Sequence, residues 1–324
     1  MTLYPFLFQP IFKERVWGGR KLETLYGKAL PPRVPVGESW EICDRPGEAS
    51  RILNGPLAGQ DLRWLMENHG GAVMGAIRAP QGRFPLLVKI LDAQQVLSVQ
   101  VHPPPAKAAV LGGEPKTEMW LFTDCAPQAC LYAGLRRGVT RAQFEQALAQ
   151  GNVEQCLHRC PVREGDAIFL PSGRVHALGA GCVLFEIQQN SDTTYRVFDW
   201  NRPGLDGKPR ALHLAESLAS IDFSDYEPSL IRAQYSRNPA IKVRYLVDDP
   251  LFMVNACQAR RGQRFYLRIQ TPQIIGVIRG QLTIAGGGES VHLAAGQFCL
   301  APASMGRLAL TAESRVEYLL AEPR

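Results

Sequence analysis

Three short segments of this chain place metal-binding side chains at spacings that suit catalysis. In LSVQVHPPP, residues 97–105, Gln100 and His102 stand one residue apart near the end of a strand-like run. The two-residue period of a strand puts both on one face. In PKTEMWLF, residues 115–122, Lys116 and Glu118 stand in the same relation at the start of the next expected strand. In EGDAIFLPSGRVHAL, residues 164–178, Gly165, Pro171, Gly173 and His176 form the pattern GxxxxxPxGxxH. Gln100, His102, Glu118 and His176 together offer two imidazoles, a carboxylate and an amide oxygen. That donor set suits one divalent ion per chain, zinc best of all, at ~2.0–2.2 Å from nitrogen and oxygen. A remaining position would take water or substrate, as a catalytic metal requires. Each signal alone is weak, because a histidine near a strand end is usually a hydrogen-bonded edge residue. The ordered combination carries the expectation.

The stretch FEIQQNSDTTYRVFDWNR, residues 185–202, follows closely and supplies Glu186, Asp192, Arg196, Asp199 and Arg202. Glu186 lies ten residues beyond His176, across a GAG turn, so its strand can return beside the metal. A carboxylate there suits a base that moves a proton. Asp192 is the reserve candidate, and the bland reading of Glu186 is an ion-pair partner within the β-structure. Lys116 shares its face with Glu118 and could steer an anionic group or polarise a substrate oxygen; simple charge balance for Glu118 is its plain alternative. His69, His158, His213 and His292 are read as structural. No Gly-rich phosphate loop of the Walker or dinucleotide type occurs, which argues against nucleotide-driven reactions and hydride transfer.

Such residues need a rigid scaffold. The composition is that of a globular protein, 46% hydrophobic and 20% charged over 324 residues, and its 30 glycines and 24 prolines punctuate short runs of strand formers. Strands are expected at 85–93, 95–102, 118–125, 165–171 and 182–189, and helices only at 61–70, 140–159 and 213–221. A linker is expected over 226–242. The segment 164–178 can be laid on AGQFCLAPASMGRLAL, residues 295–310, matching Gly165 with Gly296 and Pro171 with Pro302. Duplicated β-barrel halves follow from that match. Arg307 stands where the first copy has His176, and a histidine dispensable in one copy is better explained by chemistry than by packing.

The formal charge of +6 is scattered rather than gathered into a stripe, which disfavours nucleic acid and leaves room for a small anionic substrate. No apolar run reaches the ~20 residues of a membrane span, so the expectation is a cytoplasmic protein without a membrane partner. Eight cysteines without a CxxC pair read as reduced and structural. Nothing in the sequence sets the oligomeric state, and a monomer is compatible with it.

GxxxxxPxGxxH resembles the second cupin motif. QVHP, KTEMW, LPSGRVHAL and EIQQNSDTTYRVFDWNR, with PIFKERVWGG near the start and VGESWEI at 36–42, together resemble the short bacterial form of the type I mannose-6-phosphate isomerases. The resemblance implies a mainly β fold of two cupin-like β-barrel (jelly-roll) halves with short helical insertions. Residues 1–228 would be the catalytic domain and 240–324 a degenerate cupin-like domain. It further implies a zinc-dependent aldose–ketose isomerase that interconverts mannose 6-phosphate and fructose 6-phosphate, with Gln100, His102, Glu118 and His176 on the metal. Glu186 would serve as base and Arg196 as electrophile, with Lys116, Asp192 and Arg202 on the substrate. Arg202 matches a lysine of the longer forms, and Leu178 stands where they carry a tyrosine. Two other classes compete. An iron-dependent cupin oxygenase would not need the lysine and arginines, and a non-catalytic sugar-binding cupin would not need Glu186. An epimerase acting on a related sugar phosphate is the nearest rival among enzymes.

Overall fold

Strands covered on both faces read as continuous apolar runs, and CVLFEIQQ and LLVKILDA are such runs. In the computed structural model, which describes residues 2–238 and 241–324, both are central strands of one antiparallel sheet. Its order is Ala167–Leu170, Glu118–Cys125, Cys182–Gln189, Leu86–Ala93, Val36–Ile42, Ile11–Gly19. A second, five-stranded sheet faces it, in the order Leu157–Pro161, Cys130–Leu135, His176–Leu178, Val99–Val101, Tyr195–Phe198. Between the two, Leu91, Trp120, Phe122 and Leu184 pack against Leu131, Ala133 and Leu178.

The alternate residues of the six-stranded sheet, Met119, Leu121, Val183, Phe185 and Ile187, point the other way. They meet Ile274, Leu300, Leu319 and Ala321 of a second six-stranded sheet. That sheet packs on the four strands Arg264–Arg268, Arg307–Ala312, Gln281–Gly286 and Glu289–Ala294. The molecule is thus two sandwiches set back to back, and each fully buried Leu, Ile or Phe in the shared layer contributes about 1.5–3 kcal/mol. The first residues cross between them, since Phe6–Leu7 pairs with Phe298–Ala301. Position 240, where the second domain is expected to begin, and Met1 lie outside the described residues.

Among the described residues no hydrogen-bonded ladder joins the edges of facing sheets, so the jelly-roll halves are sandwiches rather than closed barrels. The duplication is visible in the path of the chain. Gly165 and Gly296 both adopt left-handed φ, 84° and 76°, at the turn into an equivalent strand, Ala167–Leu170 or Phe298–Ala301. Each chain then crosses to the smaller sheet, through His176–Leu178 or Arg307–Ala312. Arg307 lies over the Tyr266 ring, 3.7 Å from its centroid.

The helix expected over 140–159 is shorter. Thr140 and Gln143 form a capping box for Arg141–Ala149, and the chain leaves the helix at Gly151, whose φ is 72°. Val153 and Cys156 then pack as a 3-10 turn, and Leu157–Pro161 becomes an edge strand. The 95–102 run is strand only over Val99–Val101. The helices Leu62–Met74 and Leu214–Ser220 lie where the pattern places them, and no described helix or strand interrupts 227–238.

Candidate active site

Strand register assembles the site. Gln100 is opposite His176 on one side and Arg196 on the other, so three neighbouring strands of the five-stranded sheet present these residues at one level. On the facing sheet Glu186 is opposite both Trp120 and Lys89, and Gln188 is opposite Glu118. Glu186 shares its face with Leu184, which points into the first sandwich, so the carboxylate looks inward as well. His102 stands just past the end of its strand, Val99–Val101, where Pro103, Pro104 and Pro105 follow. Its carbonyl accepts from Gly173 N–H at 2.8 Å, tying the His176 turn to the His102 strand end.

His102, Glu118 and His176 are buried, and their donor atoms lie within 4.8 Å of one another. His102 Nδ1 donates to the Thr193 carbonyl at 2.8 Å, and His176 Nδ1 donates to the Arg174 carbonyl at 3.0 Å. Both Nε2 lone pairs therefore face Glu118, at 3.6 and 3.2 Å. Burial, with the Lys116 charge, pushes the His102 imidazole down to about 3, so it is the neutral form that a metal ligand needs. Burial opposes the charge on Glu118, but the Lys116 charge outweighs it and holds the carboxyl well below the usual range. Both Glu118 oxygens are buried without an aligned hydrogen bond, although Lys116 Nζ lies 2.6 Å from Oε2. The Gln100 amide is 3.1 Å from His176 Nε2, and a half-turn of the amide presents its oxygen there. An ionised carboxylate flanked by the ring nitrogens of His102 and His176 fits a divalent cation.

The cluster opens through Gln100 and Lys116 onto a cavity of about 510 Å³, which Glu186, Asp192 and Arg196 also line. Glu186 accepts from Trp120 Nε1 at 2.7 Å and lies 3.4 Å from Lys89 Nζ and 3.9 Å from Lys116 Nζ. Burial raises its pKa, and the Glu118 charge adds to that against the two lysines. Arg196 gives Nη1 to the Ala211 carbonyl, and its Nε is buried without a partner. Burial and the nearby Arg210 and Arg202 charges lower its pKa, so the arginine stands in a field that favours an anion. Arg202, expected on the substrate, is held by neighbouring groups. It is spent on Asp199 and on the Val96 carbonyl, away from the cavity wall. Arg210, which shares Asp199 with it at 2.6 Å, does line the cavity.

Sequence reasoning passes over Arg15, Glu38, Lys89 and Arg210, all on this wall. Glu38 accepts from Arg15 Nε at 2.8 Å and Trp40 Nε1 at 2.7 Å and lies 3.8 Å from Lys89. A signal for two of them was present. Lys89 is the single basic residue of LLVKILDA, and Glu38 lies in VGESWEI, both strands buried from end to end. A charge in such a run needs a partner or a task. Nothing local marks Arg210.

The profile of phosphomannose isomerase type I, catalytic domain, matches residues 6–143. A probable mannose-6-phosphate isomerase of Bacillus subtilis, GmuF, is 35% identical over 323 residues, covering 99% of both chains. The chain belongs to the type I phosphomannose isomerase family. The mannose-6-phosphate isomerase ManA of the same organism is 34% identical over 96% of both chains. The crystal structure of a mannose 6-phosphate isomerase from Bacillus subtilis superposes with a TM-score of 0.89 at 29% identity, covering 99% of this chain and 100% of that one. Family membership makes the mainly β fold and the inward-facing cluster parts of one enzyme scaffold. No described helix of this family member is long and apolar enough to cross a membrane.

Proposed function

We propose that this enzyme interconverts mannose 6-phosphate and fructose 6-phosphate, with Gln100, His102, Glu118 and His176 holding one zinc ion. The observation that carries the reading is the buried Glu118 carboxylate between the His102 and His176 imidazoles, beside a charged cavity. Full-length similarity to mannose-6-phosphate isomerases supports the choice of substrate. When bound, the ion would polarise a substrate oxygen and share the charge that develops on it.

The chain's own residues account for the rest. Isomerisation moves a carbonyl between C1 and C2 of the open-chain sugar, so one group must lift the C2 proton and return it at C1. Glu186 does this: Trp120 holds Oε1, and Oε2 takes the proton. Its raised pKa brings the carboxyl closer to neutrality than an exposed glutamate, which suits a group that must accept and release within one turnover. Lys116, shared between Glu118 and Glu186, and Arg196, with an unused donor, stabilise the enediolate oxygen. Arg196 and Arg210 favour the phosphate at the far wall, with Asp192 contributing to substrate placement. Asp192 lines the cavity but is exposed, whereas Glu186 is buried beside Lys116 and the metal cluster, which makes Glu186 the better base. The catalytic unit comprises residues 1–228 and the degenerate cupin-like unit 240–324, in a cytoplasmic enzyme. Metal analysis of the purified protein, combined with a coupled assay of fructose 6-phosphate formation from mannose 6-phosphate, tests the reading. Metal-free protein that turns over normally, or metallated protein without turnover, contradicts it.

A further inference from the structure

Outside the active site, one pair of reactive side chains is brought together by register alone. Cys125 ends the strand Glu118–Cys125, and Cys182 begins Cys182–Gln189, directly opposite it. One residue outside the pair on each strand, Ala126 N–H donates to the Gly181 carbonyl at 2.8 Å. That places the cysteines at a non-hydrogen-bonded position, where Cα atoms approach to about 4.5 Å. A disulfide spans about 4.4–6.8 Å between Cα atoms, so the strands need not move to accept one. Both side chains belong to the same apolar cluster, and both are free thiols. Cys130 and Cys160 lie on neighbouring strands but are offset, Cys160 facing Leu131 and Cys130 facing Pro161, which turns them to opposite faces.

We propose that Cys125 and Cys182 form a site of reversible oxidation, closed by exchange with a low-molecular-weight disulfide. Cys125 is half-buried and Cys182 fully buried, so Cys125 meets the reagent first. Hydrogen bonding between the two thiols lowers the pKa of Cys125, and the same bond together with burial raises that of Cys182. The Cys125 thiolate attacks one sulfur of the reagent, forming a mixed disulfide and releasing one thiolate. Cys182 then attacks Cys125 Sγ, passing its proton to the departing second thiolate. The balance is two cysteine thiols and one small disulfide giving one protein disulfide and two small thiols. Cys125 lies seven residues along its strand from Glu118, about 23 Å. The cross-link therefore staples the sheet and leaves the catalytic cluster untouched.

The test is incubation of the intact enzyme with oxidised glutathione. Titratable thiols after denaturation should fall from eight to six. A non-reduced peptide map should join the fragments carrying Cys125 and Cys182, the thermal midpoint should rise, and dithiothreitol should reverse both effects with activity unchanged throughout. Cys125→Ser should abolish the linked fragment, whereas Cys160→Ser should keep it. A wild-type map without that fragment overturns the proposal, whether all eight thiols survive or others pair instead. A formed link that leaves the midpoint unchanged overturns the stapling role. The wild-type map decides the site even if a variant fails to fold.

Discussion

Replacing Glu186 by Gln tests the assignment of base and metal set together. The amide retains the volume and an oxygen for the Trp120 N–H, which now lies 2.7 Å from Oε1. It loses a charge that sits between Lys89, at 3.4 Å, and Lys116, at 3.9 Å. Neither ammonium is left alone, because Lys89 keeps Glu38 at 3.8 Å and Lys116 keeps Glu118 at 2.6 Å. The stability cost should therefore fall well below the about 3–5 kcal/mol of orphaning a buried charge. The catalytic cost should not: losing positioned proton transfer removes about 10² to 10⁴ in kcat, or roughly 3–5 kcal/mol of transition-state stabilisation. Zinc content, thermal midpoint and KM should stay near wild type while kcat drops. Exchange of the substrate C2 hydrogen with deuterium from solvent should drop in step. Near wild-type turnover would refute the base assignment and move attention to Asp192. Loss of zinc would instead place Glu186 on the metal and remove one of the four proposed ligands.

His176→Ala removes an Nε2 held toward Glu118 by the Arg174 carbonyl, and metal analysis should find most zinc gone and activity nearly abolished; a fully metallated, active variant contradicts the site. Arg196→Lys retains charge but loses the planar donor, so a defect of about tenfold should be shared between kcat and KM in steady-state kinetics, and a change confined to one parameter contradicts its dual role. Arg210→Ala should raise KM for the phosphosugar several-fold more than Arg202→Ala, since only Arg210 lines the cavity; the reverse order would restore Arg202 to the substrate. Burial disfavours the charged form of Glu38, but Lys89 and Arg15 outweigh it and lower the pKa to about 2 from 4.5. Between those values the native state holds fewer protons than the unfolded one, so this contribution is complete above pH 4.5 and lost as pH falls toward 2. It amounts to about 3 kcal/mol, and denaturant melts should find Glu38→Gln less sensitive to pH across that window than wild type; parallel acid slopes speak against the linkage.

Much of the site was legible because its signals are local. QxH and KxE use the two-residue strand period, and GxxxxxPxGxxH spells a strand, a turn and a return. The structure brings Gln100, His102, Glu118 and His176 together at those points, and Glu186 lies beyond the GAG turn facing the same interior. The helical insertion was misjudged because Val153 continues a helical period in sequence while Gly151 ends the helix in space. That Arg202 and Arg210 both bond Asp199 could not be read from spacing.

The sequence by itself determined most of the strands, the duplicated path and the donor chemistry, since propensity, turn residues and side-chain period act over a few residues. Tertiary structure alone decided which charges share the cavity. Glu186 meets Lys89 and Trp120 through the register of three strands, and Glu38 reaches Lys89 from a fourth. Register depends on how whole sheets bury their faces against each other, and a one-residue slip would turn Glu186 out of the first sandwich and into the apolar layer between the two halves. The pKa shifts follow from the same cause, because burial between packed sheets makes the neighbouring charges strong enough to set them.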